Sequence, residues 1–224
     1  MFIGRDNELK SLNKIKGRGK AALVVMRGRR RIGKSRLISE FAKGFPTYFE
    51  FQGLGSRAGM NNQIQLDHFA RQLSQRLNIP PLKLSDWREA FSFLARETQT
   101  GPVLIMLDEI AWMGKHDPDY VGKLKIAWDT LFKKNDSLIL VLCGSVSSWI
   151  EQNILHDTNF VGRISADIRL NELPLWACDT FWSSQSSHTS GYGKLKFLSV
   201  TGGVPRYLEE LNPKLSAEHN IHDL

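Results

Sequence analysis

Three stretches of this chain are apolar without a break: Ala21 to Met26 (AALVVM), Val103 to Leu107 (VLIML) and Leu138 to Cys143 (LILVLC). A strand with one wet face alternates polar and apolar residues, whereas an unbroken run fits a strand buried on both faces, between two layers of helices. Thr47 to Phe51 (TYFEF) and, more weakly, Ala166 to Leu170 (ADIRL) supply two further strands. Between the strands the apolar period changes to that of a helix. Leu66, Phe69, Ala70, Leu73 and Leu77 form one stripe, Trp87, Ala90, Phe91 and Leu94 a second, and Leu124, Ala127, Trp128 and Leu131 a third. The alternation makes the class α/β, with a parallel sheet. Aromatic residues at this spacing read as core, so these tryptophans receive no functional role. Asp6, followed by Leu9 and Leu12, is placed to cap a short first helix, and Leu54 to Gln63 reads as a loop.

Composition narrows the function classes. With 224 residues, 42% hydrophobic and 24% charged, the chain is neither disordered nor collagen-like. Cys143 and Cys178 lie far apart with no CxxC spacing, which excludes a disulfide framework or zinc site and fits a reducing cytoplasm. The opening MFIGRDNELK lacks the apolar core of a signal peptide, and no run approaches the ~18 apolar residues of a membrane span. Thirty Lys and Arg against 23 Asp and Glu leave a net charge of +7. That balance favours polyanionic partners and equally suits a protein that handles phosphates. After about residue 170 the pattern shifts to Trp176, Phe181 and Trp182, a polar tract from Ser183 to Gly193 and a helical stretch from Lys194 to Val200, which together read as a second, smaller element.

Gly28-Arg29-Arg30-Arg31-Ile32-Gly33-Lys34-Ser35 satisfies GxxxxGK[ST]. The pattern has four free positions and arises by chance. Here it gains specificity from the strand AALVVM before it and the amphipathic run Leu37, Ile38, Phe41 after it. Glycine allows a positive φ and close backbone approach, so that successive N–H groups wrap a phosphate at a helix N-terminus. Lys34 is then placed to reach the β- and γ-phosphates of a nucleotide, and the Ser35 hydroxyl to hold Mg²⁺. Gly28, Arg31, Ile32, Gly33 and Arg36 complete the nucleotide-contacting set in this segment. The cluster Arg27, Arg29, Arg30, Arg31 also admits contact with nucleic-acid phosphates, or a local or subunit-contact role.

The strand VLIML ends in Asp108-Glu109, the form of a Walker B segment. Asp108 is suited to the Mg²⁺ shell, and Glu109 to polarising a water for in-line attack on the γ-phosphate. That second acid points to hydrolysis and away from a small-molecule kinase. The stretch between Lys34 and Asp108 leaves room for one strand and two helices. The strand LILVLC ends at Gly144-Ser145, where Ser145 is either a sensor of the γ-phosphate or a helix cap. Phosphoryl transfer also calls for an arginine near the transferred group, and Arg163 and Arg206 are the candidates.

Taken together, the chain resembles the archaeal-type ATPases of the AAA+ and STAND group of P-loop ATPases. The resemblance rests on FIGRDNEL (Phe2 to Leu9), GRRRIGKSRL (Gly28 to Leu37), LIMLDEI (Leu104 to Ile110), LCGSV (Leu142 to Val146), GRISADIRLNEL (Gly162 to Leu173) and TGGVPRYLEEL (Thr201 to Leu211). It implies a P-loop NTPase core of three layers, with five parallel strands ordered 5-1-4-3-2 over residues 1–172, then part of a helical lid over 173–224. It further implies an adenine site near Phe2, Ile3 and Gly4, an arginine-finger-like role for Arg163, and nucleotide contacts from Gly202 to Arg206, Pro205 among them. Ser145 stands where AAA+ ATPases frequently carry Asn. Against similar proteins the chain ends within the lid, which implies a truncated form that keeps nucleotide binding but has impaired regulated hydrolysis.

The leading expectation is an Mg²⁺-dependent ATPase that converts ATP to ADP and acts as a cytoplasmic, nucleotide-driven switch for a DNA or protein partner. No NKxD-type guanine-reading segment occurs, which favours ATP over GTP, and an arginine finger calls for a homo-oligomer. The rival expectation is a nucleotide-dependent DNA-binding adaptor with little hydrolysis, drawn from the positive charge.

Overall fold

The computed structural model describes residues 2–145, 148–183, 189–212 and 214–224. In chain order its elements are α1 (Asp6–Lys16), β1 (Ala22–Arg27), α2 (Lys34–Ala42), β2 (Thr47–Gln52), α3 (Asn62–Leu77), α4 (Trp87–Glu97), β3 (Val103–Asp108), α5 (Ile110–Gly114), α6 (Tyr120–Thr130) and β4 (Leu138–Gly144). There follow α7 (Ser148–Ile150), extended by a π-helical turn Glu151–Leu155, then β5 (Ile164–Arg169), α8 (Leu175–Ser183), α9 (Gly191–Thr201), α10 (Pro205–Glu209) and α11 (Ala217–His222). Among the described residues no helix is long and apolar enough to cross a membrane.

The five strands form one sheet in the order β2-β3-β4-β1-β5, which is 5-1-4-3-2 read from the other edge, and every pairing is parallel. The unbroken apolar runs occupy β1, β3 and β4, and β3 and β4 are buried along their whole length. Alternate side chains of these strands serve two cores, as the two-residue period of a strand dictates. Leu23, Val25, Ile105 and Leu140 meet the layer of α3, α4 and α6, while Val24, Met26, Met106 and Val141 meet α1 and α2. In the first core the Tyr120 ring packs edge-to-face against both Trp87 and Phe91, which are tilted to each other. A third cluster, built from Leu173, Ala177, Cys178, Trp182, Phe197 and Leu208, belongs to the C-terminal helices.

Several local expectations need correction. Asp6 does not cap α1: Arg5 occupies the N-cap without a side-chain cap, and Asp6 lies in the first turn, where its charge complements the helix dipole. The loop from Leu54 gives way to α3 at Asn62, because the Asn61 side chain accepts the Ile64 N–H at 2.9 Å and starts the helix. Leu131 lies just past α6 and is partly buried. The last helical stretch begins at Gly191, three residues early, with Ser190 capping the Gly193 N–H. Within the polar tract, residues 184–188 lie outside the described residues, as does Val146 of LCGSV.

Candidate active site

All five strands run the same way, so the segments leaving their C-terminal ends share one edge of the sheet. The loop after β1 and the acids after β3 meet there. Gly28 is required by space: a Cβ would lie 2.7 Å from the Leu170 carbonyl oxygen. Gly33 takes φ +94 as the N-cap of α2, a conformation that favours glycine. Arg31 also has positive φ, +65, held without glycine's freedom. Lys34 is buried at 7% exposure, and its Nζ donates to the carbonyls of Gly28 (2.9 Å) and Arg29 (3.2 Å). The loop is thus drawn around its own lysine.

The Ser35 hydroxyl donates to Asp108 Oδ2 at 2.8 Å, across 73 residues of sequence. This contact joins the two motifs. Two hard oxygen donors at this spacing suit Mg²⁺, which binds through one or two protein oxygens while phosphates and water complete its shell. Glu109 begins the turn into α5 with φ 52 and ψ 45, another left-handed non-glycine residue. Burial raises the Glu109 carboxyl above the usual carboxylate range and the neighbouring Asp108 raises it further, opposed by Lys34, Arg30 and the Ser145 backbone N–H. Ser145 follows β4 at this edge of the sheet, on the side of Glu109. α7 begins three residues later, at Ser148.

Lys34, Ser35, Asp108 and Glu109 border a cleft of about 580 Å³ whose far wall is α10 with Arg206, Tyr207 and Glu209, and Glu210 just past its end. Three contacts dock α10 on the loop: Arg31 lies over the Tyr207 ring at 5.5 Å, Arg36 pairs with Glu209, and Pro205 stands beside Gly33. Alongside is an apolar slot lined by Phe2, Ile3, Ile32, Leu173, Phe181 and Pro205. At about 30 Å³ it has room for no more than a few water molecules. Gly4 packs against α8: a Cβ there would lie 2.6 Å from that of Ala177.

Arg163 does not join this site. It precedes β5, whose Ile164 pairs with Leu23 near the start of β1, so it sits roughly 20 Å along the strands from the loop at ~3.3 Å per residue. Its guanidinium grips Asp129, with Nε at 2.9 and 3.1 Å and Nη2 at 2.9 Å from the carboxylate oxygens. The arginine cluster is also engaged internally. Arg27 bridges Asp167 and Glu151, Arg29 pairs with Glu172, and Arg30 lies over the Trp112 ring.

Two further residues were not found by sequence reading. Arg5 is buried and donates to the Ile32 (3.0 Å) and Asn171 (2.8 Å) carbonyls, tying the N-terminal segment to the loop. Gln52 ends β2 opposite Asp108 and lines the cleft. A polar residue closing the strand beside an acid-terminated one is the signal that marks it.

Among solved structures, the chain is similar to the Walker-type ATPase paby2304 of Pyrococcus abyssi (17% identity, TM-score 0.63, 92% of this chain and 65% of that one). It is also similar to Cdc6p from Pyrobaculum aerophilum (14%, TM-score 0.62, 92% and 59%) and to the Aeropyrum pernix ORC1 protein, solved in complex with DNA (14%, TM-score 0.59, 99% and 65%). These likenesses establish the P-loop AAA+ fold. Uncharacterized protein MJECL04 of Methanocaldococcus jannaschii is 23% identical over 211 residues, which cover 94% of this chain and 44% of that protein. The chain thus spans less than two thirds of the length of each of these relatives. The model of the ATPase domain predominantly from Archaea matches residues 2–211, and the chain belongs to that family.

Proposed function

We propose that this chain binds ATP with Mg²⁺ and hydrolyses it to ADP and phosphate, acting as a nucleotide-driven switch whose moving part is the C-terminal helical segment from residue 173. The observation that carries this reading is the Ser35 to Asp108 hydrogen bond with Glu109 beside it, since it brings loop, cation ligands and base to one point. Loop N–H groups and Lys34 bind the phosphates, and Ser35 and Asp108 hold the cation. Mg²⁺, when bound there, neutralises charge on the β- and γ-phosphates. Glu109 orients a water and accepts its proton, and its burial favours that role by raising its basicity. Ser145, at the end of β4, serves as the sensor of the γ-phosphate. Phe2, Ile3 and Pro205 border the base, and the lid shifts to widen the slot. Arg206 faces the phosphates from the lid, while Arg163 serves the site of a neighbouring subunit in a homo-oligomer. Both cysteines are free and buried, which supports action in the reducing cytoplasm.

The test is phosphate release at several protein concentrations. Mg²⁺-dependent turnover is expected in the wild type and loss of turnover with retained ATP binding in Glu109→Gln; wild-type turnover in that variant removes Glu109 from the mechanism. A rate per subunit that rises with concentration supports a shared site, and a flat one assigns Arg163 to structure alone. A second reading, a DNA-binding adaptor, draws on the net charge of +7. The internal engagement of Arg27, Arg29 and Arg30 counts against it, and the absence of a gel shift with duplex DNA at low salt removes it.

A further inference from the structure

The lid carries acids where a nucleotide site would be expected to carry none. Glu209 and Glu210, at the end of α10, line the same cleft as Lys34 and Asp108. Both engage arginines that border it. Arg36, in the first turn of α2, pairs with Glu209, and Arg206 lies 3.9 Å from Glu209 and 2.5 Å from Glu210. A carboxylate and a phosphate oxygen make the same kind of charge-assisted bond to a guanidinium, so the two compete for one cation. The pairs are partly exposed, with Arg36 at 48% and Arg206 at 57%, and such pairs are individually weak enough to exchange. The Arg36 to Glu209 pair is an ionic contact of α10 with the start of α2, beside the apolar approach of Pro205 to Gly33 and the stacking of Arg31 on Tyr207.

We propose that Glu209 and Glu210 compete with the nucleotide phosphates for Arg36 and Arg206, and that loss of the Glu209 to Arg36 pair on phosphate binding loosens α10 from the start of α2. This rests on the nucleotide-site reading above and gives its switch a lever: Arg36 either ties α10 down through Glu209 or turns to the ligand, while Glu210 holds Arg206 within the α10 segment until the ligand draws it away.

Calorimetric titration with ATP and Mg²⁺ tests it on the wild type, Glu209→Gln, Glu210→Gln and Asp223→Asn. The last is a control whose carboxylate borders the same cleft but sits against His222. Each glutamine variant is expected to bind ATP about two- to fivefold more tightly, and the control to gain less. Amide exchange over residues 205–209 is expected to rise on ATP addition in the wild type, and in Glu209→Gln to be high already and unresponsive. Unchanged or weaker binding by the glutamine variants, an equal gain in the control, or exchange that falls on ATP addition overturns the competition alone. A folded wild type that takes up no ATP overturns the competition and the nucleotide site together.

Discussion

The two ends of the central sheet are built from the same strands and treat charge in opposite ways. At the N-terminal end, Asp129 is surrounded by Arg163, Lys125 and Lys133, and the set closes on itself. The hydrogen bond from Arg163 holds the Asp129 carboxyl down at about 2. At the C-terminal end, Asp108 and Glu109 stand side by side at the end of a buried strand, Glu109 is shifted up, and Arg31, Gly33 and Glu109 all adopt positive φ. Like charges, backbone strain and a raised carboxyl are costly, and a fold tolerates them where they serve a ligand. The first cluster is balanced by paired cations within the chain, whereas the second sets two acids side by side at the end of a buried strand.

The contrast breaks most visibly at Lys34. Lys34→Ala is expected to weaken ATP binding roughly 30-fold or more, read by equilibrium binding, because the variant removes a buried cation from the anion site. Glu109→Gln is expected to lower kcat by about 10²- to 10⁴-fold with ATP affinity preserved, as loss of a general base does. Ser35→Ala should raise the Mg²⁺ concentration needed for half-maximal ATP binding by about tenfold or more. The smallest effect belongs to the other end of the sheet. Asp129→Asn should cost about 1 kcal/mol in denaturant unfolding at pH 7 and leave ATP binding unchanged. Its pH dependence has a definite sign. The carboxyl is depressed from 3.8 to about 2 in the folded chain, so its contribution is present above pH 4 and fades as pH falls toward 2. The difference between wild type and variant should shrink over that window, and a difference that grows there contradicts the assignment.

Much of the fold was legible because its signals are local. Unbroken apolar strands and helical stripes fix burial through side-chain periodicity alone, and the five strands lie within a residue or two of their expected places. The phosphate loop and Asp108-Glu109 were legible for the same reason, since each is a contiguous segment whose backbone shape its own residues dictate. What was not legible depends on which distant segments meet. Arg163 is a candidate for the transferred phosphate on residue type and resemblance, and the parallel register puts it at the opposite end of β5 from the loop of its own chain. Arg5 spans 166 residues to reach Asn171, and Glu209 spans 173 to reach Arg36. Neither pairing leaves a mark in local sequence. Ser145 falls between: its position at the end of β4 is visible in the sequence, but its approach to Glu109 depends on the pairing of β3 with β4, which is not.

The central claim is that residues 28 to 35, with Asp108, hold a triphosphate and its cation at one edge of the sheet. Calorimetric titration of the folded wild-type chain with ATP, once with Mg²⁺ and once with a chelator, tests it most directly. One saturable site per chain is expected, with markedly tighter binding in Mg²⁺. No heat of binding from folded protein, or affinity indifferent to the cation, contradicts it.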